Sequence, residues 1–436
     1  MFFDRPDGDS IYGQISNPPT STSTTVQYGT LQSIGSSGLV TSSPPQLQIF
    51  QYKAKIPTAI QWNFGVQMQL PGAMAADVSY VGNHGFHLLQ NLRGTQAVMD
   101  LNAPDFGTAY LPQNQDPTLA ASSVPGATAL QANQLRPYRG YGSIFYFAPI
   151  YHSQFDSIQT SVNRRFRHGL QFGVNYTYSL RFEGNAGVTG GGLGLGLRLQ
   201  HNPDGSYTVR SDQAQYEKLN EDMGNRAHVL NASAVWQLPK LSGDSGAVKA
   251  VGYVVNNWQL SGVFTAGSGA PYDATFTYQS NGAAVNLTGS PSYNGKIVVN
   301  GNAGSGCSSN QYAQLNAAAF SGPVYNSLGL ESGRNLFRGC ADHTLNLAIA
   351  RNFPFGGGRQ AQFRVDLFNA FNSVILNTFQ SQLQLTSPTN QTVLNPQYNA
   401  DGTLNQARLL PQNAGFGAAT AAQAPRTVQV QLRFQF

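Results

Sequence analysis

The feature that most constrains this chain is a strict alternation of apolar and polar residues with a period of two. In the last ten residues an apolar side chain occupies every second position up to the C-terminus. These apolar residues are Val428, Val430, Leu432, Phe434 and Phe436. Successive side chains of a β-strand point to opposite faces, so the pattern predicts a strand with one apolar and one polar face.

The same alternation occurs in three other stretches, 60–70, 170–179 and 362–367. Their polar positions carry mostly Gln, Asn, Ser, Thr and Gly, whereas the outer face of a soluble β-sandwich would normally carry Lys and Glu. An uncharged polar face is typical of the hydrated lumen of a barrel whose apolar face contacts lipid. The pattern therefore favours an all-β, antiparallel transmembrane barrel.

The composition agrees with a β-rich protein that has a polar but weakly charged surface. Charged residues make up 10% of the chain, compared with about 25% in an average soluble domain. No stretch approaches the ~20 apolar residues that a membrane-spanning helix needs. The net charge of +5 is spread over scattered Lys and Arg residues, which argues against nucleic-acid binding. An outer-membrane barrel and a secreted soluble β-protein both fit these values.

Nine strands are predicted, joined alternately by short turns and long loops. The strands lie near 58–70, 74–82, 154–166, 170–182, 225–238, 255–279, 341–353, 359–372 and 425–436. The turns are 71–73, 167–169 and 354–358, and the long loops lie near 83–153, 183–224, 280–340 and 380–424. Compact soluble domains rarely contain unstructured connections longer than about 15 residues. Outer-membrane barrels combine short periplasmic turns with long extracellular loops, so the connections favour that architecture.

The odd number of strands raises a question about segment 1–57. With the C-terminus on the periplasmic side, this segment would begin outside the cell and lead into the barrel as an extracellular segment. Either it contributes one further strand, for which 45–55 is the candidate, or upstream strands are absent. The first residues also lack the basic start, apolar core and cleavage site of a signal peptide. We therefore expect a fragment whose barrel portion is 58–436.

Several segments resemble the β-barrel of TonB-dependent receptors, in particular the Oar-like group of outer-membrane transporters. The hairpin containing Gln61-Trp62, 69–72 and 77–85 is similar to the family pattern "QW…QLPG…DVSYVGNRG". Further segments resemble the family in the same order: 170–179, 226–239, 258–271, 334–339 and 363–372. Together these segments extend the resemblance over about 58–436.

The resemblance implies energised uptake of a nutrient ligand across the outer membrane of a Gram-negative cell. The family barrel has about 22 strands, so the 9–10 strands expected here correspond to its C-terminal portion. The implied partners are outer-membrane lipid, the outer-membrane assembly machinery and, in the full-length receptor, a plug domain and TonB. The plug domain has no counterpart in this sequence. The ligand would be a small molecule or a glycan, and no motif identifies it.

Two sets of residues are expected to meet the membrane or its machinery. The alternating residues Val428 to Phe436 resemble the signal read by the assembly machinery, because an unpaired strand edge can be captured by β-augmentation. The alternative is an ordinary lipid-facing strand. Aromatic girdles at the membrane interfaces are predicted from strand position, although a soluble core would also use such residues. The girdle candidates are Trp62, Tyr80, Tyr178, Trp236, Trp258 and Phe371.

Two pairs of residues have a predicted structural role. Cys307 and Cys340 flank a loop rich in Gly, Asn and Ser, which predicts a disulfide formed in an oxidising compartment. Two unrelated thiols are the alternative. Arg364 and Asp366 lie two residues apart on the polar face of one strand, where they would pair with each other or with a plug.

No catalytic, metal or cofactor site is predicted. The glycine run 190–196 lacks the following helix and the Lys of a phosphate-binding loop. The stretch 243–246 resembles the nucleophile segment of trypsin-like proteases, but no histidine lies in a supporting segment. The seven histidines show no metal-ligand spacing, and His84 and His87 are expected in an external loop.

Two other functions stay open on the sequence alone. A self-contained porin-like barrel of about ten strands, or an adhesin without TonB coupling, would require 45–55 to pair with the last strand. A secreted soluble β-protein that binds surface glycans is the other alternative.

Overall fold

The computed structural model of this chain is built around one large antiparallel sheet. The structure describes residues 44–88, 100–185, 198–279 and 286–436, and the backbone of 2–3, 24–27 and 39–42. The nine long strands are β1 (Thr58–Leu70), β2 (Met74–Leu88), β3 (Tyr151–Arg167), β4 (Leu170–Gly184), β5 (His228–Gln237), β6 (Trp258–Gly267), β7 (Asp342–Gly356), β8 (Arg359–Phe368) and β9 (Thr427–Gln435). Each strand pairs with the next along the chain, and the short strand Phe2–Phe3 pairs with β1 as the tenth member.

The two ends of the sheet differ sharply. At one end, here called the turn end, three connections are tight: β1–β2, β3–β4 and β7–β8. Gly357 and Gly358, with φ of 65° and 79°, form the two-residue turn between β7 and β8, as hairpins with positive φ at both central positions require. The opposite end, the loop end, carries the long connections. The prediction of alternating turns and loops is thus confirmed.

The register separates apolar and polar residues onto opposite faces. One cross-strand row of the apolar face consists of Val430, Val365, Ile349, Leu260, Trp236 and Leu170. One row of the polar face consists of Gln67, Asp77, Ser161, Asn175, Asn231, Thr265 and Thr344. A one-residue slip would exchange the faces of a whole strand, so the alternating pattern fixes the register across the sheet.

The connections at the loop end pack into one body, which we call the loop assembly: the described parts of 44–50, 100–150, 198–227, 268–341 and 369–426. Two of its strand pairs are parallel, Leu47–Phe50 with Ile144–Phe147 and Thr275–Tyr278 with Gln382–Leu385. Its antiparallel pairs are Leu199–His201 with Tyr207–Val209, Pro271–Tyr272 with Phe337–Arg338, Val298–Val299 with Phe320–Ser321, and Leu376–Phe379 with Ala419–Ala422. Outside it, Thr24–Gln27 pairs with Leu39–Ser42.

Helices are few and short among the described residues. The α-helices are α1 (Ala132–Leu135) and α2 (Gln213–Leu219) in the loop assembly and α3 (Gly246–Val255) at the turn end. The 3₁₀ helices are Thr108–Tyr110, Pro112–Asn114, Ala317–Ala319, Gln406–Arg408 and Pro411–Asn413. No helix in this part of the chain has the length and apolar character needed to cross a membrane.

The loop assembly has its own hydrophobic core. Its buried members are Ala274, Ile297, Ala303, Leu315, Ala319, Phe320, Phe337, Leu383, Leu385 and Phe416. A second cluster centres on Phe147 and Tyr151, where β3 leaves the sheet. The predicted loops are therefore packed structure, because residues remote in sequence supply apolar partners for each other.

Three predicted strands are corrected by the structure. The predicted strand 255–279 covers only Trp258–Gly267, because 246–255 forms the helix α3 and Thr275–Tyr278 pairs with Gln382–Leu385 in the loop assembly. The predicted strand 359–372 ends at Phe368, because the side chain of Asn369 bonds Ser373 and the carbonyl of Ala424.

The third correction concerns the N-terminal segment. Within 45–55, Leu47–Phe50 is a strand, but it pairs with Ile144–Phe147 in the loop assembly and not with the last strand. The pairing on which the small self-contained barrel depended is therefore wrong. The histidines His84 and His87 lie on β2, which continues to Leu88, and not in an external loop.

Candidate functional site

A cavity of about 840 Å³ opens within the loop assembly. Its wall combines the strand Thr275–Tyr278, the helix α1, and the segments 286–297 and 332–333. Apolar side chains include Leu130, Leu135, Phe276 and Ile297, and hydroxyl and amide groups come from Thr, Ser, Tyr and Asn residues. Small-molecule sites are typically apolar concavities of 300–1,000 Å³ with a few placed polar groups, so this cavity is the candidate ligand site.

Hydrogen bonds fix the strand that lines the cavity. Thr275–Tyr278 pairs in parallel with Gln382–Leu385. The Tyr278 hydroxyl donates to the Pro323 carbonyl at 2.6 Å and accepts from Gln391 Nε2 at 3.0 Å. Because the hydroxyl is held by both partners, the ring of Tyr278 has a fixed place in the wall.

The opposite wall is held by contacts between distant loops. Ser290 Oγ donates to the Pro104 carbonyl at 2.5 Å, and Thr288 Oγ1 bonds the carbonyls of Ser290 and Tyr293. The rings of Tyr293 and Phe106 stack with centroids 4.3 Å apart. These contacts tie segment 286–297 to the loop that precedes α1.

A buried arginine supports this wall from behind. The side chain of Arg198 is 4% exposed and pairs with Asp212 at 3.1 Å. Its guanidinium also lies 4.9 Å from the ring centre of Phe106 and 4.8 Å from that of Tyr216. Burial lowers the pKa of the Arg198 guanidinium, and the charge of Asp212 opposes this shift.

The cavity lining is close to electrically neutral. Among the described lining residues, Asp273 and Lys296 carry the only formal charges. Burial raises the pKa of the Asp273 carboxyl, while the backbone N–H of Leu336 and the charge of Lys296 oppose the rise. In addition, the side-chain oxygen of Asn286 is buried without a hydrogen-bond partner among the described residues. The lining thus offers one carboxylate and one ammonium.

Asp273→Asn is expected to stabilise the loop assembly at neutral pH and to leave it unchanged below pH 3.8. The raised pKa means that the folded state binds this proton more tightly than the unfolded state. The free energy of unfolding therefore falls as pH rises from 3.8 through the raised pKa of Asp273. Thermal unfolding of both proteins at neutral and low pH measures the difference. Asp204→Asn is the control, because hydrogen bonds from Ser206 lower the pKa of Asp204. Removing this carboxylate should therefore lower the free energy of unfolding at neutral pH, where Asp273→Asn should raise it. Equal effects of both variants at neutral pH would contradict the assignment.

Cys307 and Cys340 are joined by a disulfide, with Cα atoms 4.8 Å apart. Cys340 lies just before β7, and Cys307 lies in the segment between the core residues Ala303 and Leu315. The bond therefore joins the core of the loop assembly to the residue that leads into the loop end of β7.

Five of the six predicted girdle residues lie on the apolar face. Trp62 and Tyr178 lie nearer the loop end, Tyr80 lies near the middle of β2, and Trp236 and Trp258 lie at the turn end. The sixth residue, Phe371, is 64% exposed but lies in the turn after β8, outside the strands. The alternating residues of β9 occupy the sheet edge, and β9 pairs with β8 alone among the described strands.

The remaining sequence features resolve into structural roles or stay outside the described residues. Arg364 donates to both carboxylate oxygens of Asp366 at 2.7–3.0 Å on the polar face. Ser245, in the protease-like stretch, caps α3 by accepting from the Val248 N–H at 3.2 Å. The described residues contain no cluster of three metal-ligating side chains. The glycine run 190–196 lies outside the described residues.

The sequence did not single out the cavity residues. Phe276 and Tyr278 alternate with threonines, and Leu383 and Leu385 alternate with glutamines, so two short period-two patterns marked the strands that build its wall. They were too short to stand out beside the sheet strands.

A comparison with protein-family models decides the family. The model described as "outer membrane beta barrel domain" matches residues 1–429. The chain belongs to this outer-membrane β-barrel family. Its place in the cell is accordingly the outer membrane, and the two-faced sheet is the expected design of such a domain. A search of curated protein sequences gives no match.

Solved structures similar to this outer-membrane β-barrel domain include three bacterial receptors and transporters. The ferric enterobactin receptor of Pseudomonas aeruginosa is 11% identical, with 87% of this chain and 31% of that chain covered and a TM-score of 0.36. The transporter YddB of Escherichia coli is 8% identical, with 81% and 33% covered and a TM-score of 0.34. The ferripyoverdine receptor of P. aeruginosa is 7% identical, with 87% and 27% covered and a TM-score of 0.33. The chain thus spans about a third of the length of these structures.

Proposed function

We propose that this chain is a barrel portion of a TonB-dependent, Oar-like receptor that takes up a nutrient across the outer membrane. In this proposal, 58–436 supplies part of a closed barrel of about 22 strands, and the plug domain and TonB act with it in the full-length receptor. The observation that carries the proposal is the cavity at the loop end, because it offers a ligand-sized space among the connections of a sheet that has one polar face.

The lining favours an uncharged or zwitterionic ligand. A strongly anionic ligand would face the carboxylate of Asp273, and the ammonium of Lys296 is the only cation among the described lining residues. Hydroxyl and amide groups that surround apolar patches suit a ligand that mixes hydrogen-bonding and apolar surfaces.

Ala132→Trp is expected to weaken ligand binding at least about tenfold, because an indole at this exposed lining position occupies the cavity mouth. The measurement is calorimetry on the detergent-solubilised protein with three probes: maltotriose, cyanocobalamin and ferric enterobactin. The matched control is Asn133→Trp, since Asn133 is an exposed neighbour outside the lining. A probe that binds equally well to both variants would place the ligand site elsewhere.

Energised uptake has a separate test. Cells that express the full-length receptor should accumulate the bound probe only when TonB is present, because the inner-membrane energy source acts through it. Accumulation that is equal with and without TonB would exclude the coupled mechanism and leave a passive channel.

A further inference from the structure

Basic side chains gather at the turn end of the sheet. The described segments around the turns are 69–75, 163–171, 238–257 and 350–361. They contain one acidic side chain, Asp244, and seven basic ones: Arg164, Arg165, Arg167, Lys240, Lys249, Arg351 and Arg359. We call these seven residues the basic belt. Register places Arg164 opposite Phe172 and Arg351 opposite Trp258 on the apolar face.

The basic belt has no ionic partners within the described part of the chain. Every ion pair found there lies in the loop assembly, at the loop end of a strand or in the Arg364–Asp366 pair. Arg164 Nη2 donates to the Arg167 carbonyl at 3.2 Å, and Arg351 Nη2 donates to the Tyr253 carbonyl. Their positive charges have no ionic partner there, and an anion with several acceptor oxygens can pair with such guanidinium groups.

The helix α3 adds an exposed apolar surface beside this charge. Four of its large apolar residues are more than two-fifths exposed: Val251 51%, Tyr253 77%, Val254 60% and Val255 42%. Of its ten residues, only Gly252 is buried. A helix of a soluble protein normally turns its apolar residues to the core. Outward-facing apolar residues with an adjacent basic group are typical of a helix that lies in a membrane interface.

Arg351 joins the helix to the sheet. Its guanidinium donates to the Tyr253 carbonyl and lies 5.8 Å from the ring centre of Tyr253, 5.5 Å from that of Trp258 and 4.5 Å from that of Phe353. The indole N–H of Trp258 also donates to the Val254 carbonyl at 2.9 Å. These contacts hold α3 against the apolar face at the height of the basic belt.

We infer that the basic belt and α3 together form a binding surface for anionic phospholipid headgroups in the leaflet at the turn end. Phosphate oxygens accept bidentate hydrogen bonds from arginine, and the valine side chains of α3 are buried among the acyl chains. An acidic soluble protein would satisfy the charges but leave the exposed valines in water, so lipid fits both features. This inference concerns membrane anchoring and does not depend on the proposed uptake function.

The test is tryptophan quenching by brominated lipid. The chain has three tryptophans, and Trp62→Phe leaves Trp236 and Trp258 as reporters at the turn end. The full chain is reconstituted in phosphatidylcholine vesicles that contain the same fraction of brominated phosphatidylglycerol or brominated phosphatidylcholine. We expect at least about twofold more quenching by the anionic lipid, and raised ionic strength should remove the difference.

Variants assign the effect to the belt. Lys249→Gln with Arg359→Gln should abolish the preference, while Lys249→Arg with Arg359→Lys should keep it. The matched control is Lys53→Gln with Lys55→Gln, which removes two exposed charges at the loop end and should change nothing. Equal quenching by both lipids, or equal loss in the belt and control variants, would overturn the inference.

Protein that does not insert is assayed by flotation with vesicles of the same phospholipids without bromine. The exposed charges of the belt and the apolar side chains of α3 remain available to a vesicle surface. Flotation with phosphatidylglycerol vesicles alone is the expected result. Equal flotation with both compositions would overturn the inference in this case as well.

Discussion

Replacement of Cys307 and Cys340 by serine is expected to lower the stability of the loop assembly by about 4 kcal/mol. The disulfide closes a loop with a sequence separation of 33 residues, and the loss follows from the chain entropy regained when a loop of this length opens. Hydrogen exchange measures it directly. The amides of Gln382–Leu385, at the centre of the core, should exchange about a thousandfold faster, while amides in the middle of β4 should keep their rates.

Reduction of the unaltered protein provides the control for this experiment. A thiol reductant should reproduce the effect in the parent protein and add nothing to the double variant. Exchange that accelerates equally in β4 would show that the bond stabilises the sheet as a whole, and unchanged exchange would show that the core of the loop assembly is sufficient without it.

Leu432→Arg is expected to reduce the amount of protein assembled in the outer membrane by at least tenfold. Leu432 lies near the middle of β9 on the apolar face, opposite Phe363. An arginine on the lipid-facing side of a barrel near the bilayer midplane costs about 2–4 kcal/mol. It would also interrupt the alternating residues Val428 to Phe436, which we propose as the assembly signal. Fractionation and the mobility difference between unheated and boiled samples measure the assembled fraction.

A polar-face position of the same strand is the matched control for this substitution. Gln429→Arg adds the same charge opposite Asp366 and should lower assembly only slightly because water reaches the polar face. A comparable loss in both variants would contradict the assignment of the two faces. If Leu432→Ala lowers the assembled fraction as much as Leu432→Arg does, the loss comes from packing and not from the added charge.

The sheet could be predicted from sequence because its information is local. The predicted bounds 58–70 are those of β1, since a long alternation and the following Pro71-Gly72 mark both the strand and its end. Because the two faces of the sheet contact different solvents, each strand shows the alternation of apolar and polar residues in its own sequence.

The loop assembly was less predictable because its partners are far apart in the chain. Phe276 becomes a core residue through Leu383, and no local pattern reports that contact. The cavity depends on the same long-range pairing, so neither Asp273 nor Lys296 stood out. The helix α3 was missed for a different reason: its valines and glycines have low helix propensity, and its cap, Ser245, was considered only as part of a protease-like stretch.

The parallel pairing of Thr275–Tyr278 with Gln382–Leu385 has a consequence for the order of folding. Between these two segments the chain must complete β7 and β8. Contacts that close long loops form late, because the chain loses the entropy of loop closure before the contact adds any favourable free energy. We therefore expect the sheet strands to pair before the candidate cavity between these loops forms.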